Sequence, residues 1–359
     1  MQYKTMWPSL WVLVVGLECL ILATSQAQPM PLPDTEKLLQ AGTLICAGTV
    51  KSHDLDYLGS HGNIAIEGLK PGRVVEAILD IEALYKGDAA RVGDLVSVLF
   101  TGPEGAFLQK GEHVVVFLTA MEQPKGHFRF ADEYYGKLSV APDRPRLEKA
   151  AAPIEAIIAE LRHNLESGEQ GLVRHAVDAL IIFDLKDEGA LKIAEGLSDS
   201  PETAVAACAL RYRLFGGDVN AFDRAVELLD GCAGECPTSD LRRLLLTLDR
   251  VEHQIPVSRF NELLENTRVP VLRQKAADIL REIGDASSVP LLVRTLTSDR
   301  AEISPSVKYQ CMAGLYRIVR SGRGSFTSRP VFDEDPSTYI EWWRKWWEET
   351  GKAKYAPEK

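Results

Sequence analysis

The chain is short of several things that would assign it quickly. Its N-terminal apolar run, Leu10 to Ala23, is about 14 residues long and interrupted by Glu18, below the roughly 20 that a helix needs to span a bilayer. No concentrated basic stripe occurs, and the formal charge is −10. Phosphate backbones would be repelled, so nucleic acid is excluded as an expected partner. Gly-x-Ser-x-Gly, His-Glu-x-x-His, a phosphate-binding loop and Gly-x-Gly-x-x-Gly are all missing. Catalytic groups assembled from distant segments leave no local trace, so the absence lowers the expectation of an enzyme without excluding one. No catalytic residue, cofactor or metal site is expected. Cysteine is scarce too, six in 359 residues.

What is present begins with an export signal. Lys4 precedes the apolar run, and Ser25-Gln26-Ala27 has the small-x-small form of a cleavage site, so residues 1–27 read as a signal peptide and Gln28 as the mature N-terminus. The expected location is periplasmic or extracellular, with no stable membrane insertion after cleavage. A lipid anchor at Cys19 is disfavoured because Glu18 stands where such sites need a small residue. Export favours disulfides, yet Cys46, Cys208, Cys232, Cys236 and Cys311 make an odd set. Cys46 lies in an apolar strand, and Cys208 and Cys311 occupy small apolar helix positions, so these three are expected as buried thiols. Cys232-Ala-Gly-Glu-Cys236 is a turn between helices, for which a local Cys232–Cys236 disulfide is expected. Zinc is disfavoured there because no second Cys or His pair stands at a suitable spacing.

A chain this long exceeds one comfortable core, so two domains are expected. After a proline-rich leader over residues 28–41, residues 42–140 break into short β-like runs separated by Gly, Pro and Asp. Val75 to Ala83 alternates apolar and acidic residues as a half-buried strand does. Thr43–Val50, Leu95–Phe100, His113–Thr119, His127–Phe130 and Leu138–Val140 supply the others, enough for a small closed or partly open barrel. Residues 141–152 read as a stiff, proline-punctuated linker. Helical periodicity then runs over residues 153–350, leaving residues 351–359 as a tail. Asp54-x-Asp56 with Gly59 resembles a calcium loop, but Leu58 and Ala65 stand where ligands belong. A solvated loop carrying His53 and His61 is expected instead.

The helical half is most legible between Leu272 and Asp299. Leu272, Ala276, Ile279, Leu280 and Ile283 recur at helical spacing, Gly284-Asp285 ends the helix, and Val289-Pro290 opens a second. Two such helices cannot bury two apolar faces alone, which implies neighbours on both sides. Small residues recur at Ala176, Cys208, Ala276 and Ala313, with Leu244 or Leu245 standing in once, at spacings of roughly 32 to 37 residues. With Arg273, Ala276, Ile283-Gly284-Asp285 and Val289-Pro290-Leu291-Leu292, the unit resembles a HEAT repeat of the short bacterial type. The barrel segment, through Leu84-Tyr85-Lys86-Gly87, Gly111-Glu112 before Val114–Leu118, and Gly136-Lys137-Leu138, resembles the OB-type barrel of tissue inhibitors of metalloproteinases and netrin-like modules. Those inhibitors chelate a target's zinc through an N-terminal cysteine. Gln28 occupies that position here, so only the barrel is implied.

Two further clusters are weighed. Arg317, Arg320 and Arg323, around a Gly-Ser segment, form either an anion-binding nest or a helix terminus with cations on its dipole. Tyr339, Trp342, Trp343, Trp346 and Trp347 share an arc of roughly 160° on one helix, the pattern of a solenoid's terminal cap. An aromatic platform for a sugar or quaternary amine is the functional alternative. The expected fold class is α+β in separate domains, a small N-terminal OB-like β-barrel followed by an all-α HEAT-like solenoid. The expected function is non-catalytic binding or scaffolding, with a protein partner or a saccharide. A secreted hydrolase or protease inhibitor acting through barrel loops is the alternative.

Overall fold

The computed structural model describes residues 35–54, 74–101, 108–132, 137–143, 152–231, 238–320 and 328–355. The first element is a short helix that composition hid behind the leader's prolines, α1 (Thr35–Ala41), which buries Leu38. Among the described residues, six strands form one sheet: β1 (Leu44–Asp54), β2 (Val74–Lys86), β3 (Leu95–Thr101), β4 (His113–Ala120), β5 (His127–Phe130) and β6 (Lys137–Ser139). The order β1-β2-β3-β5-β4 closes through a β1–β4 ladder into a five-stranded barrel, with β6 added on β4. All pairings are antiparallel except β3 with β5.

Closure is a matter of local chemistry. Ala47 pairs with Ala83 while Gly48 pairs with Ile81, so Glu82 is an extra residue that bulges β2. A bulge inverts the side-chain phase of the strand beyond it. Ala77, Leu79 and Ile81 therefore fill the barrel, whereas Ala83 and Tyr85 turn outward to the helices. The strands approach so closely there that a Cβ on Gly48 would lie 2.2 Å from the Asp80 carbonyl oxygen.

The helical region begins with α2 (Pro153–Glu166) and continues through α3 (Gln170–Ile182), α4 (Glu188–Leu197), α5 (Thr203–Phe215) and α6 (Ala221–Gly231). Then come α7 (Ser239–Thr247), which passes into a 3-10 turn at Leu248–Val251, α8 (Val257–Asn266), α9 (Pro270–Ile283), α10 (Val289–Leu296) and α11 (Pro305–Arg320). The odd-numbered helices from α3 to α11 neighbour one another in succession, and α2, α4, α8 and α10 each lie against the odd helix that follows. The anticipated small positions Ala176, Cys208, Ala276 and Ala313 are all buried. Gly284 takes the left-handed conformation that ends α9, and the Asp285 carboxylate accepts the Ser287 N–H at 2.7 Å. Buried Arg273 closes the unit by donating to the carbonyls of Thr267 and Glu302.

Barrel and helices share a core. Outward-facing Ile45, Ala47, Val115 and Phe117 pack with Ile157, Leu161, Leu165 and Phe183. The junction is polar as well: the fully buried Asn164 amide donates to the Ser139 carbonyl and accepts the Ala141 N–H, both at 2.8 Å. Tyr85 donates to buried Glu160. The last strand ends at Ser139 and α2 starts at Pro153, with residues 144–151 of the anticipated linker outside the described set.

At the C-terminus α12 (Arg329–Glu334) and α13 (Pro336–Trp346) are followed by a π turn at Trp347–Gly351 and α14 (Lys352–Tyr355), so the chain stays helical into the anticipated tail. Among the described residues no helix is long and apolar enough to cross a membrane.

Candidate functional site

The anticipated site residues fall in three places. Cys232, Cys236 and Arg323 lie outside the described residues, as do the signal and its cleavage site. Cys46, Cys208 and Cys311 are buried free thiols. Burial pushes the Cys46 and Cys208 thiols up to about 12, so neither is a nucleophile near neutrality. Arg317 donates to Glu282 at 2.5 Å, so its charge is matched by a carboxylate; the side chain of Arg320 is outside the described set. The aromatic helix packs inward. Trp343 is 0% exposed, while Tyr339, Trp346 and Trp347 are partly buried against the same core. Trp343 meets Trp342, Trp346 and Tyr316 edge-on at 4.8–5.3 Å. Trp342, 39% exposed, stacks on Tyr316.

A set of charges that the sequence reading did not single out is brought together on the odd helices. Asp178 of α3 accepts from Arg211 of α5 through one oxygen and from Arg243 of α7 through the other. Arg174 of α3 donates to buried Asp240 at the start of α7. The ladder continues with Lys275 of α9 on Asp249 at 2.9 Å, then Glu282 of α9 accepting from Arg281 at 2.6 Å and from Arg317 of α11. Most of these pairs tie different odd helices together, and several members remain accessible to a partner, among them Arg243, Asp249 and Arg317. A signal existed in the sequence. Asp178, Arg211, Arg243, Lys275 and Asp278 all stand within three residues of the recurring small or leucine position, with both signs of charge represented.

A cleft opens beside the ladder where Lys275 reaches Asp249. The packing of α7 on α9 is marginal compared with α5 on α7 or α9 on α11, and α7 gives way here to the 3-10 turn. A space of about 420 Å³ opens there, between Leu246, Asp249, Arg250 and Glu252 on one side and Lys275, Asp278, Ile279 and Glu282 on the other.

On the barrel, Thr49 donates to Glu82 and lies 2.9 Å from His113 Nδ1, and Ser97 donates to Glu76 at 2.5 Å with His127 3.4 Å from the same carboxylate. Both sets combine a hydroxyl, a carboxylate and an imidazole. In each the hydroxyl proton is directed to the carboxylate rather than to the imidazole, which is not the relay that activates a nucleophile. Among the described residues no group of three or more His, Cys, Asp or Glu side chains is arranged to hold a metal ion. The barrel connections 55–73, 102–107 and 133–136 lie outside the described residues. No family model matches the chain, and no curated protein is significantly similar to it.

Proposed function

We propose that this protein is an exported, non-catalytic binding protein in which an OB-like barrel is joined to a HEAT-like solenoid and the odd-helix face recognises a protein partner. The barrel part of this reading is supported by the β1-β2-β3-β5-β4 closure with its parallel β3–β5 pairing. The solenoid part is supported by two layers of short helices in which each unit touches its neighbours. Export is supported by the sequence of residues 1–27.

The observation that carries the binding function is the charge ladder. Intramolecular pairing holds these side chains in fixed positions before any partner arrives, which lowers the ordering cost of association and gives a patterned surface for selectivity. The test is capture of partners from the exported fraction by the parent and by Arg243→Glu and Arg317→Glu variants, followed by mass spectrometry. A partner retained by the parent and lost from folded variants is the expected result. Retention unaffected by either charge reversal moves recognition away from this face, to the barrel and its protein or saccharide ligands.

A further inference from the structure

We propose that the cleft between α7 and α9 is the docking point for a basic segment of the partner protein, in which a lysine or arginine side chain enters beside Glu252 and an adjacent aliphatic residue rests on Leu246 and Ile279. This rests on the reading of the odd-helix face as a binding surface and adds the chemistry of its occupant.

Charge complementarity identifies that occupant. Asp249, Glu252, Asp278 and Glu282 face the cleft against only Lys275 and Arg250. Both cations are already engaged. Lys275 is paired with Asp249 and Arg250 lies over the Phe215 ring at 5.9 Å. Asp278 and Glu282 are held by Arg281. Glu252 is left as the carboxylate whose charge is least answered. Its side chain is 15% exposed, and its ion-pair partner among the described residues is His253, 3.4 Å away and itself 80% exposed. Burial raises the pKa of Glu252; His253 and, more weakly, Lys275 oppose this, and the nearby charges of Asp249 and Glu282 add to it. An incoming ammonium or guanidinium relieves that deficit, because a charge of opposite sign favours the ionised carboxylate.

Leu246 supplies the second half of the recognition. It is 61% exposed at the rim, while buried Ile279 forms part of the wall beside it. An aliphatic group seated there removes apolar surface from water next to the ion pair. The carboxylates reject acidic segments by repulsion.

The test uses the full chain and a fluorescein-labelled peptide of alternating lysine and leucine, read by anisotropy, with the glutamate–leucine peptide of equal length as control. The basic peptide is expected to bind and the acidic one is not. Glu252→Gln should weaken binding roughly tenfold, and Leu246→Ser by a smaller factor, with melting curves matching the parent. Because Leu246 is a rim residue, the second variant keeps the test valid if the first fails to fold. Parental affinity in both variants overturns the proposal, as does displacement of the peptide by spermidine as readily as by unlabelled peptide, which would make a free polyamine the occupant. Partner capture that depends on Arg243 but not on Glu252 or Leu246 removes the cleft and leaves the binding function standing. A parent chain that retains neither peptide nor partner removes both.

Discussion

The barrel and the C-terminal helices bury apolar surface by opposite geometries. In the barrel, β1 and β4 are covered twice: Leu44, Cys46, Val114 and Val116 point into the closed sheet, while Ile45, Ala47, Val115 and Phe117 belong to the core that the first helices share. Beyond α5 a separate core joins successive helices, from Leu210 and Phe222 through Leu244, Leu280 and Leu315 to Trp343. A closed sheet spreads the consequence of one misfit around its whole ladder. A core shared between neighbouring helices passes it only to the next pair. The shared junction core means the N-terminal helices should follow the barrel in stability, and the C-terminal helices should follow their terminal aromatic residues.

The strongest way to break that division is at the buried Trp343. Trp343→Ala should destabilise the C-terminal helices by about 3–5 kcal/mol, with amide exchange rising over residues 238–355 while the barrel strands remain protected. Equal loss of protection in the barrel would mean that the two regions unfold as one. The complementary break is Gly48→Ala. A methyl group 2.2 Å from a backbone oxygen has no room, so the barrel should lose about 3 kcal/mol and exchange should rise first in β1, β2 and the junction helices. Asn164→Leu tests the junction itself. It leaves the Ser139 carbonyl and the Ala141 N–H without their partner, and about 2 kcal/mol should be lost, read as a lower urea midpoint for β6 and α2 together.

The smallest effect concerns pH. The Arg162 guanidinium hydrogen-bonds Asp187 at 2.5 and 2.6 Å and holds its carboxyl below the usual carboxylate range, with burial acting in opposition. The folded pKa is depressed, so this pair stabilises above the ordinary value of about 4 and its contribution is lost as pH falls through the folded pKa. Arg162 is 42% exposed, and solvent screening limits the pair to about 1 kcal/mol. Asp187→Asn should lower stability at neutral pH by that amount and flatten the acid limb of the stability profile. An unchanged acid limb would assign the loss to other carboxylates.

Much of this architecture is legible in the residues. Val114 to Leu118 is an unbroken apolar run, which is what burial on both faces produces, while β2 alternates because its other face is partly wet. The α9–α10 hairpin is written in Ile283-Gly284-Asp285, where one positive φ and one capping carboxylate fix the reversal. The bulge at Glu82 is not legible. Nothing in Leu79 to Tyr85 states that the phase inverts, since that depends on how closely Gly48 lets β1 approach. Helix α1 was hidden because its burial comes from distant partners of Leu38. The charge ladder is a product of stacking, joining residues such as Asp178 and Arg243 that are far apart in sequence. Charges beside a recurring small residue mark where to look, but only the packing of helices determines which of them meet.

The amide of Asn164 has one more consequence. An open sheet edge offers alternating donors and acceptors to any passing strand, and such edges nucleate fibrous aggregates. Asn164 presents one donor and one acceptor to the rim of β6, the same pair that an added strand residue would bring. It fills the vacancy without being a strand and so cannot extend it. During synthesis β6 leaves the ribosome before α2, so this rim stays unguarded until the 25 further residues that separate Ser139 from Asn164 have been made and folded back.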